Sequence, residues 1–264
     1  MSGFARIELS DFKAINNDFV YGFFGKNGGV STGDYKSLNV SYQSRDEAVS
    51  IQENRRRIAS QLSIECMDIQ TVKQVHGKTC LVVEDLYDCA TEAPDADALV
   101  TDKAGIPIAV MSADCVPILF SAQKDNGRPI IGAAHAGWGG ALQGVIESTL
   151  NAIRHLGGDM ASVRACIGPA IQRKNYEVDL AFSMPFLEDD ELAERYFSAG
   201  QHEDKLQFDL PGYVTGRLAR SGVKFICDSG LDTYGLNQDF FSYRRSQHQG
   251  ENDYGRQASA IMIK

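Results

Sequence analysis

The stretch PIIGAAHAGWGGALQGVIESTLNAIRHL, residues 129–156, decides the architecture. Its first six residues, 129–134, are apolar without alternation and read as a strand covered on both faces. From Leu142 onward, Val145, Ile146, Thr149, Leu150, Ile153 and Leu156 recur at helical spacing. Gly157-Gly158 then ends the helix. His155, in the last turn, is a cation placed to favour the helix dipole and reads as structural. Between strand and helix lie His135 and three glycines, Gly137, Gly139 and Gly140.

Working outward, residues 69–75, 79–84, 98–101, 107–111 and 116–120 read as further apolar strands separated by turns. Toward the N-terminus, 19–24 reads as a strand followed by a turn-rich stretch over 25–34. A helix is expected from near Ser44, with Glu47 completing a capping box, to about Leu62, burying Ile51, Ile58 and Leu62. Within it Arg55, Arg56 and Arg57 fan around more than half a turn. They read chiefly as a solvated face, with one turned inward as the alternative. In the last third, 162–167, 206–208, 224–227 and 257–263 read as strands, and 189–197 and 211–221 as helices. Strands and helices do not alternate regularly, which fits an α+β sandwich with mixed β-sheets better than a doubly wound fold. No repeat, low-complexity tract or proline-rich linker divides the chain, so residues 1–264 are expected to form a single domain.

Composition narrows the function. Hydrophobic residues make up 43% of the 264, enough for a sizeable core. The net charge of −9 argues against nucleic-acid binding, which needs a basic surface to displace counterions. It gives no attraction to anionic membranes, although a local arginine cluster can still bind a small anion at short range. The N-terminus lacks a basic start followed by an apolar run, and no stretch is long and apolar enough to span a bilayer. A cytoplasmic location is expected. Six cysteines, Cys66, Cys80, Cys89, Cys115, Cys166 and Cys227, form no CxxC pair. In a reducing compartment all but Cys115 read as small core residues.

Three segments carry the chemistry. Lys73-Gln74-Val75-His76-Gly77 ends a β run, Ser112-Ala113-Asp114-Cys115-Val116-Pro117 lies between two strands, and Ala134-His135-Ala136-Gly137-Trp138 joins strand to helix. Each delivers a metal-binding side chain to a strand end, where sites usually form. None is specific alone. Together, two imidazoles and a thiolate make a catalytic zinc set that leaves a position open, and zinc lowers the pKa of bound water to about 7. The same set also suits copper.

The surroundings admit alternatives. The glycine loop before the helix either approaches an anion or only permits a tight turn. Trp138, the only tryptophan, suits stacking on a planar substrate, a core role or a lid. Asp97 and Asp114 either orient a histidine, shuttle protons or cap turns. Arg244, Arg245 and Arg256 cluster with aromatics near the C-terminus and suit phosphate or carboxylate, with one of the three expected only to pair with a surface acid.

The segments KQVHG (73–77), SADCVPILF (112–120), AAHAGW (133–138), IGPAI (167–171), FFSYRR (240–245) and GRQA (255–258) resemble, in this order, those of the YfiH-like family. Its members have been called multicopper polyphenol oxidases, peptidoglycan editing factors and purine nucleoside phosphorylases. The match runs from Ser37-Leu38-Asn39 to the C-terminus. The resemblance implies an α+β fold and a zinc site at His76, Cys115 and His135, which are also the catalytic candidates. Asn39, in the first matched segment, joins Arg244 and Arg256 as a candidate substrate-binding residue. Two positions depart from the family. Gly139 stands where relatives usually carry arginine, removing a cation beside the metal, and Asp232 stands where they tend to have cysteine.

The resemblance covers several chemistries. A three-copper laccase cluster needs many paired imidazoles, and this chain has five histidines and no His-x-His pair. A single copper, as in a laccase-like polyphenol oxidase, remains one alternative. A peptidoglycan-precursor editing amidase with Cys115 as nucleophile is another. A purely structural zinc would call for a fourth protein ligand, and His155, His202 and His248 lie outside the matched motifs. The favoured expectation is a zinc-dependent purine nucleoside phosphorylase, with adenosine deaminase activity, acting on adenosine and inosine and taking nucleoside and phosphate as partners. The usual deaminase signature is absent, so deamination would be a separate solution.

Overall fold

A computed structural model describes residues 6–13, 18–63 and 68–264. The reading of Cys66 as a core residue lies outside them. The first half holds β1 (Arg6–Ile7), α1 (Ser10–Lys13), β2 (Phe19–Phe24), α2 (Ala48–Gln61), β3 (Cys80–Val82), β4 (Ala98–Thr101), β5 (Ile108–Ser112), β6 (Val116–Gln123) and β7 (Pro129–Ala136). The second holds α3 (Trp138–Gln143), α4 (Val145–His155), β8 (Arg164–Ile167), β9 (Glu177–Asp179), α5 (Met184–Asp189), β10 (Phe197–Ala199), β11 (Lys205–Phe208), α6 (Leu210–Arg220), β12 (Phe225–Asp228), α7 (Tyr243–Gln249) and β13 (Gln257–Ile263).

The expected α+β architecture is present. A six-stranded sheet of order β12-β8-β6-β7-β4-β3 is mixed, with parallel pairs at its two edges and antiparallel pairs inside. Its side chains alternate between two cores. Leu99, Leu119, Ile131 and Ala133 face Tyr21, Phe23, Val110 and Ile261 of the four-stranded antiparallel sheet β1-β2-β13-β5. Ala98, Val100, Ile118, Phe120 and Ala134 face α4, α6 and the three-stranded sheet β10-β11-β9. The far side of the four-stranded sheet is covered by Ile58 and Ala59 of α2 and by Leu62. Burial on both faces explains why these strands read as continuous apolar runs.

Several expectations are corrected. Residues 69–75 make only isolated bridges, at Gln70 and Lys73. The helix after His135 breaks at Gly144, whose φ of 100° leaves the helical region, although the apolar spacing runs on through it. The six-residue α3 is too short for the anion-attracting helix end considered for the glycine loop. No capping box forms at α2: Glu47 is the cap residue and its side chain caps nothing. Of the three arginines, Arg55 is buried, 2% exposed, donating to Asp68, Val40 O, Ile69 O and Thr71. Arg56 and Arg57 pair with Glu53 nearer the surface. Residues 189–197 divide between the end of α5 and a 3-10 segment, Glu191–Tyr196. Among the described residues, no helix is long and apolar enough to cross a membrane.

Candidate functional site

One side chain organises the site. Asp97, immediately before β4, is completely buried. Its Oδ2 accepts from Val75 N (3.2 Å) and Gly77 N (2.6 Å), and its Oδ1 from His76 N (3.0 Å). Three consecutive N–H groups thus wrap one carboxylate, which holds His76 in the left-handed conformation, φ 59°. Such a conformation is unfavourable for a residue with a side chain unless its surroundings impose it. Asp97 Oδ1 also lies 2.9 Å from His135 Nδ1, and Asp97 O accepts from His135 N at 2.7 Å. With Nδ1 engaged by a carboxylate, the ring's other nitrogen is left for the cavity side.

Cys115 arrives from a tight connection between β5 and β6. Asp114, with φ 86°, makes the turn. Its buried carboxylate accepts from Thr233 Oγ1 (2.6 Å), Ser242 Oγ (2.9 Å) and Arg244 N (2.6 Å), tying Cys115 to the segment that starts α7. Asp97 and Asp114 therefore act as anchors of the loops, the first also orienting a histidine.

His76, Cys115 and His135 come together, with their ligand atoms all within 4.8 Å of one another. The two imidazole rings meet edge-on, centroids 4.9 Å apart. One ion with bonds of about 2.0–2.3 Å can bridge these atoms with slight closure. The backbone leaves room for it: a Cβ on Gly137 would stand 2.9 Å from His76 Cδ2 and 3.1 Å from Cys115 Sγ. Glycine at 137 thus keeps the trio open, and the residues fit a metal. By contrast, a Cβ at Gly139 would meet nothing closer than 3.7 Å, so glycine is not required there for lack of space. Without an ion, burial alone would push the Cys115 thiol up. The adjacent imidazoles, His135 foremost, reverse this and bring it down to about 6. Burial would push His135 down, but the Cys115 thiolate and Asp97 raise it to about 9.

The trio opens into a cavity of about 820 Å³, lined by His76 and Cys115 while His135 sits behind them. Trp138, 43% exposed, meets Phe182 at 5.1 Å between centroids, and Phe182 meets Tyr176 at 6.1 Å. Arg244 also lines the cavity, its guanidinium over the Tyr176 ring and donating to Glu177 O at 2.8 Å. Arg256 lies one layer back, over Tyr254, with a buried Nη1 lacking a partner. Asn39 is fully buried elsewhere. It accepts from Arg256 N and donates to Ser44 and Asp46, so it shapes the loop that carries Arg256. Among the described residues, none of Arg244, Arg245 and Arg256 pairs with a surface acid as expected of one of them; Arg245 donates to Thr233 O, Tyr234 O and Phe240 O.

Tyr176, Phe182, Gln207 and Tyr254 also line the cavity, and sequence reasoning did not single them out. Tyr176 and Phe182 lie in an aromatic-rich stretch that a stacking argument would have found. Gln207 carries no such signal.

Residues 20–264 match the family described as multi-copper polyphenol oxidoreductase laccase. A purine nucleoside phosphorylase of Rickettsia conorii is 34% identical over 250 residues, 95% of this chain and 98% of that one. The Escherichia coli purine nucleoside phosphorylase YfiH is 34% identical over 236 residues, 89% of this chain and 90% of that one. Crystal structures of a Neisseria meningitidis DUF152 protein (TM-score 0.82, 29% identity, 99% of each chain) and of Bacillus licheniformis hypothetical protein YfiH (0.83, 31%, 94% of each chain) share the fold.

Proposed function

The chain belongs to the multi-copper polyphenol oxidoreductase laccase family, which includes the YfiH and DUF152 proteins, and we propose that it is a zinc-dependent purine nucleoside phosphorylase acting on adenosine and inosine. The observation that carries this reading is the convergence of His76, Cys115 and His135 beside a cavity that His76 and Cys115 line together with an aromatic cluster and Arg244. A cavity of this volume suits a nucleoside with an anion beside it.

His76, Cys115 and His135 would hold the ion, which when bound supplies a Lewis-acid centre. Trp138, Tyr176 and Phe182 offer faces for a planar base. Burial raises the Tyr176 phenol well above its ordinary range, so it stays a proton donor. Arg244 already donates to Glu177 O, and the rest of its planar fork is available to phosphate. In the reaction, a phosphate oxygen forms a bond to the ribose anomeric carbon as the bond to the base nitrogen breaks. The base leaves with a proton and ribose 1-phosphate remains. Asp114, held between Cys115 and the Arg244 backbone, fixes the distance between ion site and phosphate site. The metal-capable group is a single trio among the described residues, which favours one ion over a multicopper cluster. Adenosine deamination at the same centre is the companion activity.

A second reading rests on the lowered Cys115 thiol and raised His135: without an ion they form a thiolate–imidazolium pair, as a cysteine amidase acting on peptidoglycan precursors would use. One experiment separates the two. Metal-analysed protein and Cys115→Ala are given adenosine or inosine, with and without phosphate, and products are separated by chromatography. Free base formed only with phosphate and only by wild type supports phosphorolysis, and inosine from adenosine reports deamination. No turnover of either nucleoside, with hydrolysis of a muramyl peptide instead, supports the amidase.

A further inference from the structure

Among the described residues, the side chains lining the main cavity that are cations or can become one are His76, Lys174, Lys205, Arg244 and His248. Three of these are committed. His76 belongs to the metal-capable trio, Lys174 meets Asp232 at 3.5 Å, and Lys205 pairs with Asp179. The other lining acids are engaged as well: Asp114 by Thr233, Ser242 and Arg244 N, and Glu177 by Gln201 N and His202 Nδ1. Arg244 and His248 are left.

The two are neighbours. Both stand on α7, four residues apart, so they share one face of the helix with about 5–6 Å between Cβ atoms. His248 is exposed, yet its ring is held: Nδ1 lies 3.0 Å from the Tyr234 hydroxyl, and the rings meet edge-on, centroids 5.6 Å apart. Tyr234 also lines the cavity, and its backbone is pinned. Its N donates to Asp232 Oδ1 at 3.2 Å and its O accepts from Arg245 Nη1 at 2.9 Å. With Nδ1 occupied, Nε2 is the uncommitted polar atom of the ring. A phenol donating to Nδ1 leaves the ring proton on Nε2, and a protonated imidazole carries one there too. This face of α7 therefore offers a guanidinium and an imidazole N–H one turn apart.

We infer that His248 is a second phosphate-binding residue, its Nε2–H donating to the phosphate that Arg244 holds, with Tyr234 as the positioning residue that sets the ring. The inference rests on the proposed phosphorolysis and deepens it by naming the other arm of the phosphate site. Two donors side by side, one of them a fixed cation, match an anion with several acceptor oxygens. Asp114 accepts from Arg244 N, so the helix that carries both donors is tied to the turn that carries Cys115. His248 lies between the FFSYRR and GRQA segments, outside both.

The test measures KM for phosphate and KM for inosine separately in wild type, His248→Ala, His248→Gln and Tyr234→Phe, with melting temperatures alongside. His248→Ala is expected to raise KM for phosphate by about tenfold, the loss of one hydrogen bond to an anion, and KM for inosine by about twofold or less. His248→Gln, whose amide N–H can stand near the position of Nε2, is expected to restore most of the loss, which a merely structural role would not allow. Tyr234→Phe, which frees the ring without removing it, is expected to raise KM for phosphate by about threefold. Melting temperatures level with wild type are expected, since His248 is exposed. An unchanged KM for phosphate in His248→Ala, equal rises in both KM values, or a variant that unfolds would overturn this inference alone. Wild type that releases no base from inosine with phosphate overturns the proposed function and the inference with it.

Discussion

His135 Nδ1 lies 2.9 Å from Asp97 Oδ1, and the same carboxylate accepts the backbone N–H groups of Val75, His76 and Gly77. One buried acid thus sets two of the three candidate ligands at once, one through its ring and the other through its backbone. Asp97→Asn keeps the shape but turns an acceptor into a donor facing N–H groups. It is expected to lower metal affinity by roughly 10–100-fold, measured by competition with a chromophoric chelator. Unchanged affinity would mean that the loop and His135 are held by other groups.

The thiol of Cys115 gives a pH signature. Its pKa in the metal-free protein is lowered to about 6, so the reactive thiolate dominates above that pH and is lost as pH falls through it. Alkylation of the apoprotein at Cys115, followed by mass spectrometry, is expected to be half-maximal near that value. Loading zinc is expected to protect the thiol. A midpoint near the ordinary cysteine range would remove the thiolate–imidazolium pairing and with it the amidase alternative.

Among the described residues, the Arg244 guanidinium lines the cavity without a carboxylate partner, held by Glu177 O and the Tyr176 face. Arg244→Ala is expected to raise KM for phosphate by about tenfold or more, the cost of one or two charge-assisted hydrogen bonds. Adenosine deamination, which uses no phosphate, is expected to change far less. Equal loss in both reactions would place Arg244 on the shared nucleoside or in the fold.

Arg55 separates stability from activity. Removing it takes one donor each from Asp68 and from the carbonyls of Val40 and Ile69. Arg55→Ala is expected to cost roughly 3 kcal/mol in urea denaturation, and Arg56→Ala, on the exposed side, about 0.5 kcal/mol or less. Comparable effects from the two would contradict the burial of Arg55.

These residues also show how far sequence reaches. The strands around the core were legible because both faces are buried, which leaves a continuous apolar run; Ala98–Thr101 and Gln257–Ile263 coincide with their expected bounds. His76, Cys115 and His135 were legible as residue types at strand ends. The inward turn of Arg55 was not, because its acceptors come from residues 13 to 16 positions away, invisible to local charge patterning. The break at Gly144 was hidden because apolar periodicity continues across it. Asn39 was grouped with substrate-binding residues because it lies in a matched segment, whereas its side chain is spent on the chain itself.

The most direct test of the central claim is a stoichiometry. Inosine and phosphate are incubated with apoprotein and with zinc-reconstituted protein, and hypoxanthine and ribose 1-phosphate are quantified together. Equal amounts of the two products, formed by the zinc-loaded protein and restored to the apoprotein only on adding metal, are the predicted result. Hypoxanthine released with free ribose, or turnover indifferent to metal, would contradict it.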